Sequence, residues 1–322
     1  MSRSDLLGLD ASTYERHPVH AQERTWTETN CYVDLWIEVL HALGLDPIAG
    51  AAFTLSTDFE GDQWTFFKYP PEDLRRLYGI EVSELNVWRP IAEHVVEQLD
   101  LGRLLTIEVD AWHLPDTAGV SYGIAHTKTT IVPTSLDLDA RRMGYFHNAG
   151  YFEVAGDDLD GALRIGLDDP AVLPPYVELV RLERLRRETE VADVVALAAE
   201  HLARRPSDNP MVRFRKRLEA DLPWLAEHGV DAFHQYAFGT CRQCGATAEV
   251  AASFVDWLGA HGESGLAPVA EHLRSIAETA KSLQFGLARA ARGRDVDLAT
   301  PLGTMERDWD EALGALAARY AD

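Results

Sequence analysis

The stretch "ETNCYVDLW" places Cys31 where a reactive thiol could form. Thr29 or Asn30 can cap a helix that opens at Cys31, and the partial positive charge of a helix N-terminus favours a thiolate over a thiol. That effect is worth at most about 1 kcal/mol, so a thiol with a reference pKa of about 8.5 stays mostly protonated near neutral pH. A nucleophilic Cys31 therefore needs an imidazole partner.

Two later segments could supply that partner and a group to orient it. His126 precedes the strand-like run "TKTTIV", and Asn148 follows His147 in "GYFHNAG". An early cysteine on a helix, a histidine on a later strand and an amide on the next strand is the chain order of a Cys-His-Asn nucleophile site. The sequence predicts Cys31 as nucleophile, His126 as base and Asn148 as the group that fixes the imidazole tautomer. His147 leaves the third position open, and the alternative is that Cys31 is a core residue.

Carboxylates in the first half could bind a substrate amine, because the acidic excess of the chain lies mainly there. A solvated acidic loop is the alternative for the group in "STDFEGDQWTFFK", whereas Asp110 follows a strand and strand ends commonly line sites. A cation such as Arg89 or Lys68 could hold a leaving anion. The predicted substrate-binding residues are Asp58, Glu60, Asp62, Lys68, Arg89, Asp110 and His147.

No metal or cofactor is predicted. Cys241 and Cys244 have the spacing of half a zinc site, but no second pair exists and the segment reads as helix. The chain has no Gly-rich phosphate loop, kinase motif set or dinucleotide fingerprint. Catalysis would therefore use side chains alone.

The composition limits the partners and the compartment. A net charge of −22 argues against nucleic acid and anionic membranes as partners. Three cysteines cannot form a disulfide framework, and neither a signal peptide nor a membrane-spanning run is recognisable, so we expect a cytoplasmic protein. Basic clusters around Arg184 and Arg215 could dock an acidic carrier protein, or they could be solvated helix faces paired with neighbouring glutamates.

The patterning predicts an α+β half followed by a helical bundle. A helix over 30–43 has apolar residues at helical spacing and ends at Gly44. "DQWTFFKY", "LLTIEVDAW", "KTTIVPTS", "RMGYFHNAG" and "YFEVAG" are typical of strands, and "PPEDLRRLYG" and "RPIAEHVVEQLDLG" of short helices. From "YVELVRLERLRR" onward every segment has helical spacing. We therefore predict an α+β domain over residues 1–174 and a helical bundle over 175–322.

Several of these blocks resemble an uncharacterised bacterial domain-of-unknown-function family over nearly the whole chain: "ETNCYVDLW", "FEGDQWTFFK", "HTKTTI", "GYFHNAGYF" and "AKSLQFGLARA". Residues 26 to about 155 are also distantly similar to butirosin-type acyltransferases, on the pattern of Cys31, "VDAWHLP" with Asp110, His126 and "GYF". That resemblance implies a papain-like fold and transfer of an acyl group from a carrier-protein thioester. A further relation to the azinomycin-type enzyme pair implies aziridine closure on a carrier-bound amino acid with loss of sulfate.

Three functions follow as hypotheses. The first is Cys31-dependent acyl or aminoacyl transfer from a carrier protein to an amine or to water. The second is carrier-dependent tailoring without covalent catalysis, in which the substrate amine itself attacks to close a ring and the protein supplies alignment, a base and an anion site. The third is a binding or assembly subunit without activity, and a second protein subunit could complete the site in any of the three.

Overall fold

The computed structural model describes residues 3–20, 23–167, 169 and 172–320. The chain divides into two compact units. The first comprises Met1–His20, Asn30–Pro47 and Pro70–Glu188, and the second comprises Ala21–Thr29, Ile48–Tyr69 and Thr189–Asp322. The α+β class and the helical C-terminal half are confirmed.

An antiparallel sheet forms the body of the first unit. Its described strands are β1 (Arg3–Asp5), β2 (Glu81–Glu84), β3 (Leu104–Asp110), β4 (Lys128–Asp137), β5 (Arg142–His147), β6 (Gly150–Ala155) and β7 (Val177–Arg181). Their order across the sheet is β2-β7-β3-β4-β5-β6, and β1 pairs with the far end of β4. Each sequence-adjacent pair from β3 to β6 is also paired in space.

Four helices belong to this described part: α1 (Cys31–Ala42), α2 (Pro71–Tyr78), α3 (Ile91–Asp100) and α4 (Asp157–Leu163). Asn30 caps α1, since its Oδ1 accepts the N–H groups of Tyr32 and Val33 at 3.2 and 3.0 Å. The helix predicted over 30–43 is thus confirmed. Its middle turns are fully buried against the sheet, with Val33, Leu35 and Ile37 all 0% exposed.

A buried charge cluster fastens the N-terminal segment to α1. His20 lies between the carboxylates of Asp34, at 3.2 Å, and Glu38, which also accepts the Tyr14 hydroxyl at 2.6 Å. Burial by itself would lower the pKa of His20, but the hydrogen bonds to the two carboxylates raise it to about 9. His20 is therefore an imidazolium in the folded protein.

The second unit is helical. It contains α5 (Val191–Ala203), α6 (Pro210–Ala237), α7 (Gln243–Ala260), α8 (Ala267–Ala290) and α9 (Ala299–Tyr320), with a π-helical turn over Phe238–Arg242 and a 3-10 helix over Ile48–Ser56. The helices α7, α8 and α9 pack in succession, and α5 and α7 both cover the 3-10 helix. Gly229, with a φ of 71°, interrupts α6. The sequence pattern places the end of one helix and the start of the next at the same residue.

Two secondary-structure predictions are wrong. The segment "YVELVRL" forms strand β7, between β2 and β3, because its alternating Val177 and Leu179 satisfy a strand as well as a helix and both neighbouring strands pair with it. The segment "DQWTFFKY" contributes only a single bridge between Phe59 and Trp64. Its Trp64 ring packs instead on helix α6, with a centroid separation of 5.8 Å from Phe214.

The helices of the described chain include none that combines the length and the apolar character needed to cross a membrane.

Candidate active site

Asp110 and His126 form a hydrogen-bonded pair at one end of the sheet. Asp110 ends β3, His126 stands two residues before β4, and His126 Nδ1 lies 2.5 Å from Asp110 Oδ2. The other carboxylate oxygen accepts the N–H groups of Trp112 at 3.0 Å and Thr127 at 3.2 Å. His126, Trp112 and Thr127 therefore hold one carboxylate in a fixed orientation.

The His126 ring is restrained on one face and open on the other. Trp112 stacks on it with a centroid separation of 4.5 Å and an interplanar angle of 14°, yet 72% of the His126 side chain is exposed. When Nδ1 carries the proton donated to Asp110, Nε2 is left as an acceptor. Partial burial opposes the charge on Asp110, but the hydrogen bonds from His126, Trp112 and Thr127 outweigh it and lower the pKa of Asp110. The pair has the form of a general base with its orienting carboxylate.

This pair lines an open cleft of about 370 Å³, which we call the base cleft. Charges of both signs surround it: Glu108 and Asp110 are acidic, whereas Lys128 and Arg164 are basic. Lys128 Nζ lies 2.9 Å from Glu108 Oε1. The remaining lining residues are Val109, Thr127, Leu173, Pro174, Pro175 and Tyr176. A ligand with both an ammonium and an anionic group would find a counter-charge for each here.

A buried glutamate beside the cleft was not predicted. Glu178 Oε2 accepts hydroxyl groups from Tyr32 of α1 at 2.7 Å and Thr106 of β3 at 2.8 Å, and Oε1 lies 3.3 Å from the Tyr176 hydroxyl. Burial and the Glu178 charge raise the pKa of Tyr32 and of Tyr176, so both phenols stay protonated. Glu178 was missed because the sequence predicted a helix for residues 177–181, whereas strand β7 places Glu178 opposite Thr106.

Cys31 opens α1 as expected, but its neighbours differ from those predicted. Its Sγ is hydrogen-bonded to the Thr129 side chain and the Thr130 backbone of β4. Burial raises the pKa of Cys31 and outweighs the opposing effects of Lys128 and of the Thr129 hydrogen bond. Within the part of the chain that the structure describes, no hydrogen bond joins Cys31 to His126.

His147 lies one hydroxyl group away from Cys31. The Thr129 hydroxyl that contacts Cys31 is also 2.8 Å from His147 Nε2, and His147 Nδ1 lies 2.5 Å from Asp116 Oδ2. The His147 side chain is only 1% exposed, and the Tyr145 hydroxyl donates to the second Asp116 oxygen at 2.5 Å. This linear set of hydrogen bonds, Cys31-Thr129-His147-Asp116-Tyr145, is called the thiol chain below.

The structure places Asn148 in the turn between β5 and β6, half-buried, with a φ of 45°. Arg89 pairs with Glu97 and lines a groove described below. Asp58, Glu60, Asp62 and Lys68 belong to the second unit, where Asp58 pairs with Arg213 at 2.5 Å and Glu60 accepts the Thr65 hydroxyl at 2.7 Å. Cys241 and Cys244 are buried in the helical unit, and burial raises the pKa of Cys241 to about 12.

Among the described residues, no three His, Cys, Asp or Glu side chains come together in a way that could hold a metal ion.

Two family models match consecutive parts of the chain. Residues 15–182 match the DUF1839 N-terminal domain and residues 187–318 match the DUF1839 C-terminal domain. No curated protein matches the chain. The two matches together span most of the 322 residues, and the chain therefore belongs to the uncharacterised DUF1839 family.

Proposed function

We propose that the protein is an enzyme in which the Asp110-His126 pair removes a proton from a substrate amine in the base cleft. The observation that carries this proposal is the 2.5 Å bond from His126 Nδ1 to Asp110 combined with 72% exposure of the imidazole. A base must be both oriented and accessible to substrate, and His126 meets both requirements. Cys31 takes no covalent part in this reaction.

The charges of the base cleft support an amino compound that carries an anionic leaving group. Glu108 and Asp110 would attract the ammonium group, and Lys128 would neutralise the departing anion. In the reaction, Nε2 of His126 takes the ammonium proton and the freed amine nitrogen bonds to the carbon that bears the leaving group. The carbon-oxygen bond breaks as the new bond forms, so the anion leaves with the bonding electron pair. The product is a small nitrogen ring.

The resemblance to azinomycin-type enzymes supports a finer version of this proposal. The substrate would be an amino acid held on a carrier protein, the leaving anion would be sulfate and the ring an aziridine. A second subunit could close the base cleft, which is open to solvent in the single chain.

A sulfate-ester substrate tests the function. We would incubate the protein with an amino-acid thioester of pantetheine that carries a side-chain sulfate ester, and follow sulfate release and the ring product by mass spectrometry. We expect His126→Gln to lower kcat/KM by about 10²- to 10⁴-fold, the usual contribution of a general base. The matched control is His228→Gln, because His228 also stacks on a tryptophan, Trp224, at 4.5 Å but lies in the helical unit. Equal rates for wild type and His126→Gln, or no ring product from wild type, would contradict the proposal.

The thiol chain favours a second candidate, the Cys31-dependent acyl transfer of a papain-like enzyme. With His147 neutral, its Nδ1–H donates to Asp116, and its Nε2 faces the Thr129 hydroxyl, which connects it to Cys31. Attack of the sulfur on a thioester carbonyl would pass the thiol proton along this path and expel the carrier thiol, forming an acyl-enzyme. In this version His147 replaces His126, and Asp116 replaces Asn148. The raised pKa of Cys31 weighs against it.

Intact-mass measurement separates the two candidates. The second candidate expects wild-type protein to gain the mass of the acyl group when mixed with an acyl-pantetheine thioester, and Cys31→Ala to gain none. If the Asp110-His126 pair is the base, neither wild type nor Cys31→Ala should form an adduct, and both should close the ring of the sulfate-ester substrate.

A further inference from the structure

A second groove adjoins the base cleft. It encloses about 350 Å³ and is lined chiefly by Trp88, Arg89, Ile91, Leu163, Arg164 and Leu173; we call it the Trp88 groove. The base cleft and the Trp88 groove share Arg164, Leu173, Pro174 and Pro175 as walls. The two spaces therefore adjoin at Arg164 and at the segment 173–175, and both belong to the first unit.

Beside the charged Arg89, Arg164 and Asp169, the Trp88 groove has apolar walls that are unusually open to solvent. Trp88 is 72% exposed and Leu173 is 81% exposed, whereas the large apolar residues of α1 are almost completely buried. Exposed tryptophan and leucine side chains gathered around a concavity are typical of a surface that an apolar group covers when it binds. Such a group would gain the hydrophobic contact that these two side chains forgo in the free protein.

The groove also carries two guanidinium groups in a chain with a net charge of −22. Arg164 Nη1 donates to the Leu173 carbonyl at 2.5 Å, which holds Arg164 at the junction of the two spaces. Arg89 pairs with Glu97 and lies over the Trp88 ring, with Cζ 4.9 Å from the ring centroid. Arg89 Nε is buried and has no acceptor among the described residues. The side chain as a whole is 22% exposed, so its charge can still attract an anionic group in the groove.

We propose that the Trp88 groove binds the apolar arm of the substrate whose amine reacts in the base cleft, with an anionic group of that arm held between Arg89 and Arg164. The ligand class is an elongated amphipathic anion, such as an acyl chain that bears a carboxylate, sulfate or phosphate. The inference rests on the proposed function only in its assignment of the reacting end to the base cleft. Binding in the Trp88 groove is independent of whether His126 acts as a base.

Calorimetric titration with hexyl sulfate tests the groove, and hexanol and methyl sulfate serve as probes that lack the anion or the chain. We expect hexyl sulfate to bind wild type more tightly than either of the two partial probes. Trp88→Ala should weaken hexyl sulfate binding by about tenfold or more, because it removes one large apolar wall. Arg164→Gln should abolish the preference for hexyl sulfate over hexanol while leaving hexanol binding unchanged.

The matched control is Phe285→Ala, since Phe285 is 65% exposed on α8 in the helical unit. Trp88 is mostly exposed, so its replacement should leave the far-ultraviolet circular dichroism unchanged. Equal weakening in Phe285→Ala, or tight binding of methyl sulfate alone, would overturn the inference in favour of general surface adsorption or a simple anion site. If His126→Gln retains hexyl sulfate binding but wild type forms no ring product, the groove stands and the proposed function fails.

Discussion

The first unit contains two Asp-His pairs of the same local geometry in opposite surroundings. In both, Nδ1 of the histidine lies 2.5 Å from an Asp Oδ2. His126 is 72% exposed, and no described residue bonds its Nε2, whereas His147 is 1% exposed and its Nε2 is bonded to Thr129. The same two residue types thus form an accessible pair in one place and a fully bonded internal contact in the other. Accessibility of the second ring nitrogen, more than the pair itself, decides which histidine can accept a proton from substrate.

The largest expected difference between the pairs is in stability. Asp116→Ala leaves the Tyr145 hydroxyl and Nδ1 of His147 buried without an acceptor, so we expect a loss of about 3 to 5 kcal/mol in the free energy of unfolding. Asp110→Ala at the exposed pair should cost under about 1 kcal/mol. Urea denaturation followed by circular dichroism measures both. Losses of similar size would show that burial does not make the Asp116-His147 pair more important for stability than the Asp110-His126 pair.

A third histidine, His20, is buried between two carboxylates, which raise its pKa. The pKa of His20 is raised from 6.5 to about 9, so its contribution to stability is complete below pH 6.5 and is lost as the pH rises through about 9. A shift of this size corresponds to about 3 kcal/mol. Neighbouring His17 stays neutral throughout this range, because burial and the nearby His41 lower its pKa to about 4.

We therefore expect the unfolding free energy of wild type to fall between pH 7 and pH 10 by more than that of His20→Gln. His126→Gln is the control and should keep the wild-type slope, since His126 lies outside the buried cluster around His20. Parallel profiles for wild type and His20→Gln would mean that the buried cluster does not hold a charged imidazole.

Thiol reactivity sharpens the comparison at the buried pair. Because burial raises the pKa of Cys31, we expect iodoacetamide to modify it about tenfold or more slowly than an exposed cysteine near neutral pH, with a rate that increases with pH. Peptide mapping by mass spectrometry gives the rate at each cysteine. Cys241 and Cys244, which are completely buried, are internal controls and should not react in the folded protein. Fast, pH-independent alkylation of Cys31 would favour the thiol chain as the catalytic site.

The smallest effect concerns the exposed pair. Trp112→Leu removes the ring that stacks on His126 but keeps the backbone N–H bonded to Asp110, so we expect kcat/KM to fall by about three- to tenfold. Trp224→Leu, at the equivalent stack on His228, should leave the rate unchanged. A loss for Trp112→Leu as large as that for His126→Gln would indicate that Trp112 contacts the substrate.

Local patterns predicted the elements better than the site. Helix α1 and the strands β3 to β6 follow from apolar spacing and turn residues, which are local features of each segment. The strand β7 was missed since it pairs with β2 and β3, both far from it in sequence. Long-range pairing of this kind leaves little trace in one short segment.

Cys31, His126 and Asp110 were all identified as candidates from the sequence, but the contacts among them were not. Residue type and chain order indicate which side chains could react, whereas strand register decides which of them meet. His147 of β5 is paired with Ile131 of β4, yet its ring bonds the side chain of Thr129, two residues earlier on β4. No sequence pattern specified this diagonal contact. Register depends on the whole sheet, and it places His147, not His126, next to the threonine that contacts Cys31.

The short strand β1 affects how the protein can be shortened. It pairs with Ser135, Leu136 and Asp137 of β4, while the match to the DUF1839 N-terminal domain begins at residue 15. A chain trimmed to that match would lose β1 and would also lose Tyr14, a hydrogen-bond donor to Glu38. The end of β4 would then present unpaired N–H and C=O groups to solvent, which can recruit a strand from another molecule. Trimmed protein should therefore tend to self-associate, so the first fourteen residues protect solubility although the family match excludes them.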